Sequence, residues 1–248
     1  MTETKRDASA QSTLDGPRLA PQLISGVTQP LLRALFLSLA RYSVKIEGEF
    51  PKDPSLLLAY PHNEHINSIL FPPNTVAIVA ARDYWYDNAV LRFLVAGVAD
   101  TLPLTRHGTG HKTLRQEISW QKDVMEQRNR HIVVYPQGSR SGASVSPGAL
   151  TAQLQSGVPY MARKLDVPVY PVGFAYPDHN QPKKGGASAW TRFLAALRQG
   201  KLPEPTTVVL RVGEPLDVPL SRDGDHAFLT LLAQQLWHLA HTKRDLQR

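Results

Sequence analysis

Two histidines in the string Pro61-His62-Asn63-Glu64-His65-Ile66-Asn67 are the residues of this chain best suited to moving a proton. The string follows Ser55 to Tyr60, an apolar run broken by Pro61, so His62 falls where a buried strand ends. His62 and Asn67 stand five apart, which on one continuous helix separates them by about 140° at ~100° per residue. They face each other only if His62 lies in the turn and the helix begins after it. Asn63 suits the N-cap of that helix and Glu64 its first turn. So placed, His62 is available as a general base with Asn67 beside it. The same histidine also fits a hydrogen-bonded surface or core position. A metal pair with His65 at i, i+3 finds no third ligand nearby, and the string is not H-E-x-x-H.

Two further clusters suit anions. Leu102-Pro103-Leu104-Thr105-Arg106 ends a strand in a guanidinium that can grip a phosphate bidentately, or can simply be a solvated charge. The following Gly108-Thr109-Gly110-His111-Lys112-Thr113 lacks the G-x-x-x-x-G-K spacing of a phosphate loop. Val133-Val134-Tyr135-Pro136-Gln137-Gly138-Ser139-Arg140-Ser141-Gly142 is a strand running into a glycine-bearing polar turn that presents backbone N–H groups and Arg140. Arg140 sits between its glycines, so it is not a G-x-S-x-G nucleophile elbow. A fourth cluster, Val167-Pro168-Val169-Tyr170-Pro171-Val172-Gly173-Phe174, reads as a proline-bounded core strand.

These clusters need a scaffold that brings strand ends together. Strands are expected at 42–48, 55–60, 76–81, 101–105, 131–135, 167–174 and 206–212, and helices at 88–98, 112–129, 150–165, 187–198 and 226–242. The alternation predicts an α/β fold: a mixed, largely parallel central sheet flanked by helices. If the strands are parallel, His62, Arg106 and the 137–142 turn share one edge and one crevice. Ahead of the sheet, Leu23, Ile24, Val27, Leu31, Leu32, Leu35, Phe36, Leu37 and Leu39 recur at helical spacing, divided near Pro30. They predict a short pair of amphipathic helices over 22–41 that either packs on the domain or lies on a membrane surface, with Arg33 and Arg41 toward anionic headgroups. Lys183 to Lys201, mixing Lys, Arg, Trp190 and Phe193, is a rival interfacial segment. Residues 1–17 read as a disordered tail and 18–248 as a single domain.

The 248 residues are 42% hydrophobic, enough for one large core. The formal charge of +7 favours anionic partners. Basic residues are spread without a recognition-helix cluster or stacking platform, which argues against nucleic acid. No apolar run reaches the length of a membrane span, and the start lacks a secretory h-region, so a cytoplasmic protein is expected. With no cysteine, disulfides and thiolate metal sites are excluded.

The four clusters, in this order, resemble the glycerolipid acyltransferase family, which includes the lysophosphatidic acid acyltransferases. Its first block reads N-H-x-S-H-x-D, against Pro61 to Asn67 here, and its second ends in an Arg, matched by Arg106. Its third, F-P-E-G-T-R-S, is matched by Tyr135 to Ser141, and its fourth, V-P-V-x-P-V, by Val167 to Val172. Val208 to Leu216 looks like the family's closing strand. The resemblance implies a phospholipid-biosynthesis acyltransferase, peripheral to the membrane. It would move a fatty acyl group from acyl-CoA or acyl carrier protein to a hydroxyl of a lysophospholipid or related lipid. It assigns His62 and Asn67 to catalysis, and Arg106, Gln137, Gly138, Ser139 and Arg140 to substrate binding. No cofactor, metal or covalent enzyme intermediate is implied. Two family carboxylates are amides here, Asn67 and Gln137, which keeps a second reading open: a member that binds lipid or acyl thioester with impaired catalysis.

Overall fold

In the computed structural model the described residues are 30–31, 33–35, 37–39, 41–62, 69–81, 100–105, 111–138, 144, 146–176, 195, 198–201 and 205–241. They contain seven strands: β1 (Tyr42–Glu47), β2 (Leu56–Tyr60), β3 (Val76–Ala81), β4 (Thr101–Leu104), β5 (His131–Val134), β6 (Val169–Ala175) and β7 (Thr206–Val212). Helix α1 (His111–Arg128) precedes β5, α2 (Pro147–Thr151) and α3 (Gly157–Leu165) precede β6, and α4 (Asp225–His241) follows β7. The expected strands are all present, with ends shifted by a residue or two. The expected helices over 88–98 and most of 187–198 lie outside the described residues, as does 22–29.

The strands form one sheet in the order β1-β7-β6-β2-β5-β3-β4. Every pairing is parallel except β6 with β7. Strand β2 lies mid-sheet and is buried along its whole length, as its unbroken apolar sequence requires of a strand covered on both faces. Alternation divides its side chains. Leu56, Leu58 and Tyr60 join a core built with α1, α3 and α4, whereas Leu57 and Ala59 join a second core with Leu70, Phe71, Phe174 and Leu210. Leu37, from the helical stretch 30–39, packs against the second core.

The 150–165 segment departs from expectation by splitting into α2 and α3. Ser146 caps α2, accepting from the Ala149 N–H at 3.2 Å, with Pro147 in its first turn. Pro159 lacks the N–H that a continuous helix would direct at residue 155, and its ring would strike that carbonyl. In the third position of a new helix beginning at Gly157, the missing donor costs nothing. Helix α4 lies close over β6: a Cβ on Gly173 would come within 2.5 Å of Leu239 Cβ. Only glycine admits this approach, and it sets the height of α4 above β6.

Candidate active site

Strands β2, β5, β3 and β4 are mutually parallel neighbours, so the residues that follow β2, β4 and β5 leave the sheet at the same edge. Tyr60 and Pro61 are joined by a cis peptide bond, and His62 comes next. Its imidazole stacks on Tyr135 at 4.2 Å between ring centroids and 26° between planes. Its backbone N–H donates to Gln137 Oε1 at 3.0 Å. Two contacts, made by ring and backbone, therefore fix His62 against the turn that follows the adjacent strand. Gln137 is 3% exposed, and its Nε2 donates to Gln153 Oε1 at 2.9 Å.

The turn itself is tight. Gly138 N–H donates to Tyr135 O at 2.9 Å, Pro136 occupies the second position, and Gly138 has φ of 69°. From the α2–α3 connection, Gln155 N–H donates to Pro136 O at 2.8 Å and Gln155 Nε2 to Gln137 O at 3.3 Å. The Gln155 side chain lies over Gly138, where a Cβ would meet its Cγ at 2.9 Å.

Downstream, Ser144 is held from two sides. Its N–H donates to the Tyr60 hydroxyl at 2.5 Å, and its carbonyl accepts from Trp237 Nε1 at 3.1 Å. The Trp237 ring stacks on His241 at 4.7 Å, and His241 Nδ1 lies 2.8 Å from Trp237 O. Burial raises the Tyr60 phenol above its ordinary pKa, so it stays neutral and polar at this dry contact. A residue of β2 and a residue of α4 thus grip the same residue, one at its N–H and the other at its carbonyl.

On the β4 side, the Glu117 carboxylate of α1, 1% exposed, accepts from Thr105 N–H at 3.0 Å and from Thr105 Oγ1 at 2.7 Å. Thr105 is the residue before Arg106. Arg33 donates through Nε to Ile69 O at 2.7 Å and through Nη2 to Leu70 O at 3.3 Å. Of the two roles open to this segment, Arg33 serves packing on the domain: it turns inward and fastens the 30–39 helix there.

Of the residues singled out from sequence, the structure brings His62, Gln137 and Gly138 together. Asn67, Arg106, Ser139 and Arg140 lie outside the described residues. Among the described residues no group of three His, Cys, Asp or Glu side chains converges as a metal site would require. Sequence reasoning missed Tyr60, Tyr135, Ser144, Gln153, Gln155 and Trp237 as parts of the site, since each acts through a partner distant in the chain. Glu117 was findable: it interrupts the apolar face that Leu114, Ile118 and Met125 give α1, and a carboxylate in such a place needs donors.

A histidine at the carboxyl end of a central strand, stacked on the polar turn of the neighbouring strand, is the layout of an α/β enzyme working at a sheet edge. The family is specific. The family model described as Acyltransferase matches residues 43–175, over half of the chain, and the chain belongs to that family. Among solved structures it is similar to the 1-acyl-sn-glycerophosphate (LPA) acyltransferase PlsC from Thermotoga maritima, with a TM-score of 0.51 and 16% identity over 84% of this chain and 78% of that one. At that identity the likeness bears on fold. No curated protein matches the chain.

Proposed function

We propose that the chain transfers a fatty acyl group from an acyl thioester, on coenzyme A or acyl carrier protein, to a hydroxyl of a lysophospholipid or related lipid alcohol. The observation that carries this reading is the contact between the family's first and third blocks, made by His62 on Tyr135 and Gln137. His62 takes the proton of the acceptor hydroxyl as its oxygen attacks the thioester carbonyl. The tetrahedral intermediate collapses, the C–S bond breaks, and the imidazolium returns the proton to the thiolate. Atoms and charge balance without an oxidant, a metal or a covalent enzyme intermediate.

The acceptor's phosphate is assigned to Arg106 and Arg140, with the backbone of Gly138 and Ser139 beside it. The Gln137 amide is spent inside the protein at both ends. Asn67 offers an uncharged amide where the family's acid would carry charge. That amide and the one at Gln137 motivate the alternative, a lipid or acyl-thioester binder with impaired catalysis.

Membrane contact is assigned to the 30–39 helix. Leu31, Leu35 and Leu39 are 66%, 53% and 44% exposed and recur at i, i+4 and i+8, a ridge on the side opposite the Arg33 anchor. Among the described residues no helix is long and apolar enough to cross a bilayer. A peripheral enzyme on the cytoplasmic leaflet, drawn to anionic lipid by the charge of +7, fits these features.

The test is transfer from labelled acyl-CoA and acyl carrier protein to a panel of lysolipids and long-chain alcohols. Wild type acylates at least one acceptor, and His62→Ala loses about 10²-fold or more of that rate. No transfer with any acceptor would favour the binding-only reading. An unimpaired His62→Ala would remove His62 as the base.

A further inference from the structure

The amide at 137 stands where the family carries a carboxylate, and its surroundings show which property of that residue this chain uses. A backbone N–H can only donate, so the Gln137 atom facing His62 N–H at 3.0 Å is the oxygen. That orients Nε2 toward Gln153, where it donates to Oε1 at 2.9 Å. The backbone of Gln137 is held as well, its carbonyl accepting from Gln155 Nε2. Gln153 and Gln155 both belong to the connection between α2 and α3, the segment freed from helix by Pro159.

We propose that Gln137, Gln153 and Gln155 form a positioning device for His62. Residue 137 serves as an acceptor for the His62 N–H, and the 153–155 connection aims it. This rests on His62 being the base. Acceptance needs an oxygen and no charge, so Gln at 137 is a working substitute for Glu and leaves catalysis intact. Gln153 is the adaptable member: rotating its amide by half a turn converts the group facing 137 from acceptor to donor, which suits a carboxylate there equally well.

The experiment compares Gln137→Glu, Gln137→Met, Gln153→Met and Gln153→Glu by steady-state kinetics and by NMR hydrogen exchange of the His62 amide. Gln137→Met removes the acceptor at similar length. Its kcat falls about 10- to 100-fold with KM for both substrates unchanged, and the His62 amide exchanges about tenfold faster. Gln153→Met shifts both readouts in the same direction, and it carries the test should Gln137→Met fail to fold. Gln137→Glu and Gln153→Glu, which keep an oxygen at the contact, stay within about threefold of wild type in kcat and keep the amide protected. A raised acceptor KM at constant kcat in Gln137→Met would mean that the residue touches substrate, and would overturn the proposal. So would undiminished His62 amide protection in that variant. An active His62→Ala would sink the base reading separately and leave the exchange data to judge the hold itself.

Discussion

Replacing Tyr60 by Phe isolates one oxygen that joins the β2 strand to the far end of the polar turn. The ring stays in its fully buried place, so packing is nearly unchanged. The Ser144 N–H, which donates to that oxygen at 2.5 Å, is left without an acceptor in a site only 5% exposed. An unpaired buried donor costs about 1–3 kcal/mol. Tyr60→Phe should therefore lose about 2 kcal/mol, a shift of about 0.7 M in the urea midpoint at a slope of about 3 kcal/mol per M. Trp237→Phe strips the donor from Ser144 O, and a carbonyl that loses one neutral donor costs about 1 kcal/mol. Both variants act on one residue, Ser144, so the double mutant should fall short of additivity by at least about 0.5 kcal/mol. Urea unfolding followed by circular dichroism measures all three. Because Tyr60 lies two residues before His62, the acyl-transfer rate of Tyr60→Phe should drop as well. An unmoved midpoint, or strict additivity, would show that Ser144 is not held as a shared clamp.

Three other outcomes are expected. Glu117→Ala removes the acceptor of both Thr105 donors and should cost about 3 kcal/mol by thermal melting. It should also raise the acceptor KM through the adjoining Arg106, and a melt within experimental scatter of wild type would contradict the pairing. The Arg211 hydrogen bond, the largest cause, and Lys45 hold the Glu47 carboxyl below its ordinary pKa. A depressed carboxyl stabilises fully above its unfolded pKa, about 4.3, and loses that contribution as pH falls through the lower folded value. Glu47→Gln should thus be less stable than wild type at pH 7 and indistinguishable from it in strong acid, as unfolding curves across pH would reveal. Changing Leu31, Leu35 and Leu39 together to Ser should weaken binding to anionic vesicles by about tenfold or more. Unchanged sedimentation with vesicles would shift the contact to Lys183–Lys201.

The strands were readable because local chemistry dictates them. An apolar run such as Leu56 to Tyr60 between turn residues can be little else, and the alternation of such runs with helical periods implied a largely parallel sheet. The order of the four clusters carried the family resemblance, and with it the expectation that His62 is the reactive group. Periodicity failed over 150–165, where Gly157 and Pro159 outweighed an apolar pattern that continues through the break. It also left Arg33 with two roles, since charge alone does not say whether a guanidinium meets lipid or two backbone carbonyls. Contacts across the site were beyond local reading altogether. His62 and Gln137 stand 75 positions apart, and they meet because β2 and β5 are sheet neighbours, a matter of strand order that no local window encodes. The same holds for Tyr135 beneath the imidazole, Gln153 behind the amide and Trp237 above Ser144. Residue chemistry and secondary structure were thus set by the sequence within each segment. Which segments touch, and therefore whether an amide can stand in for an acid at 137, was decided only when the chain closed into a sheet.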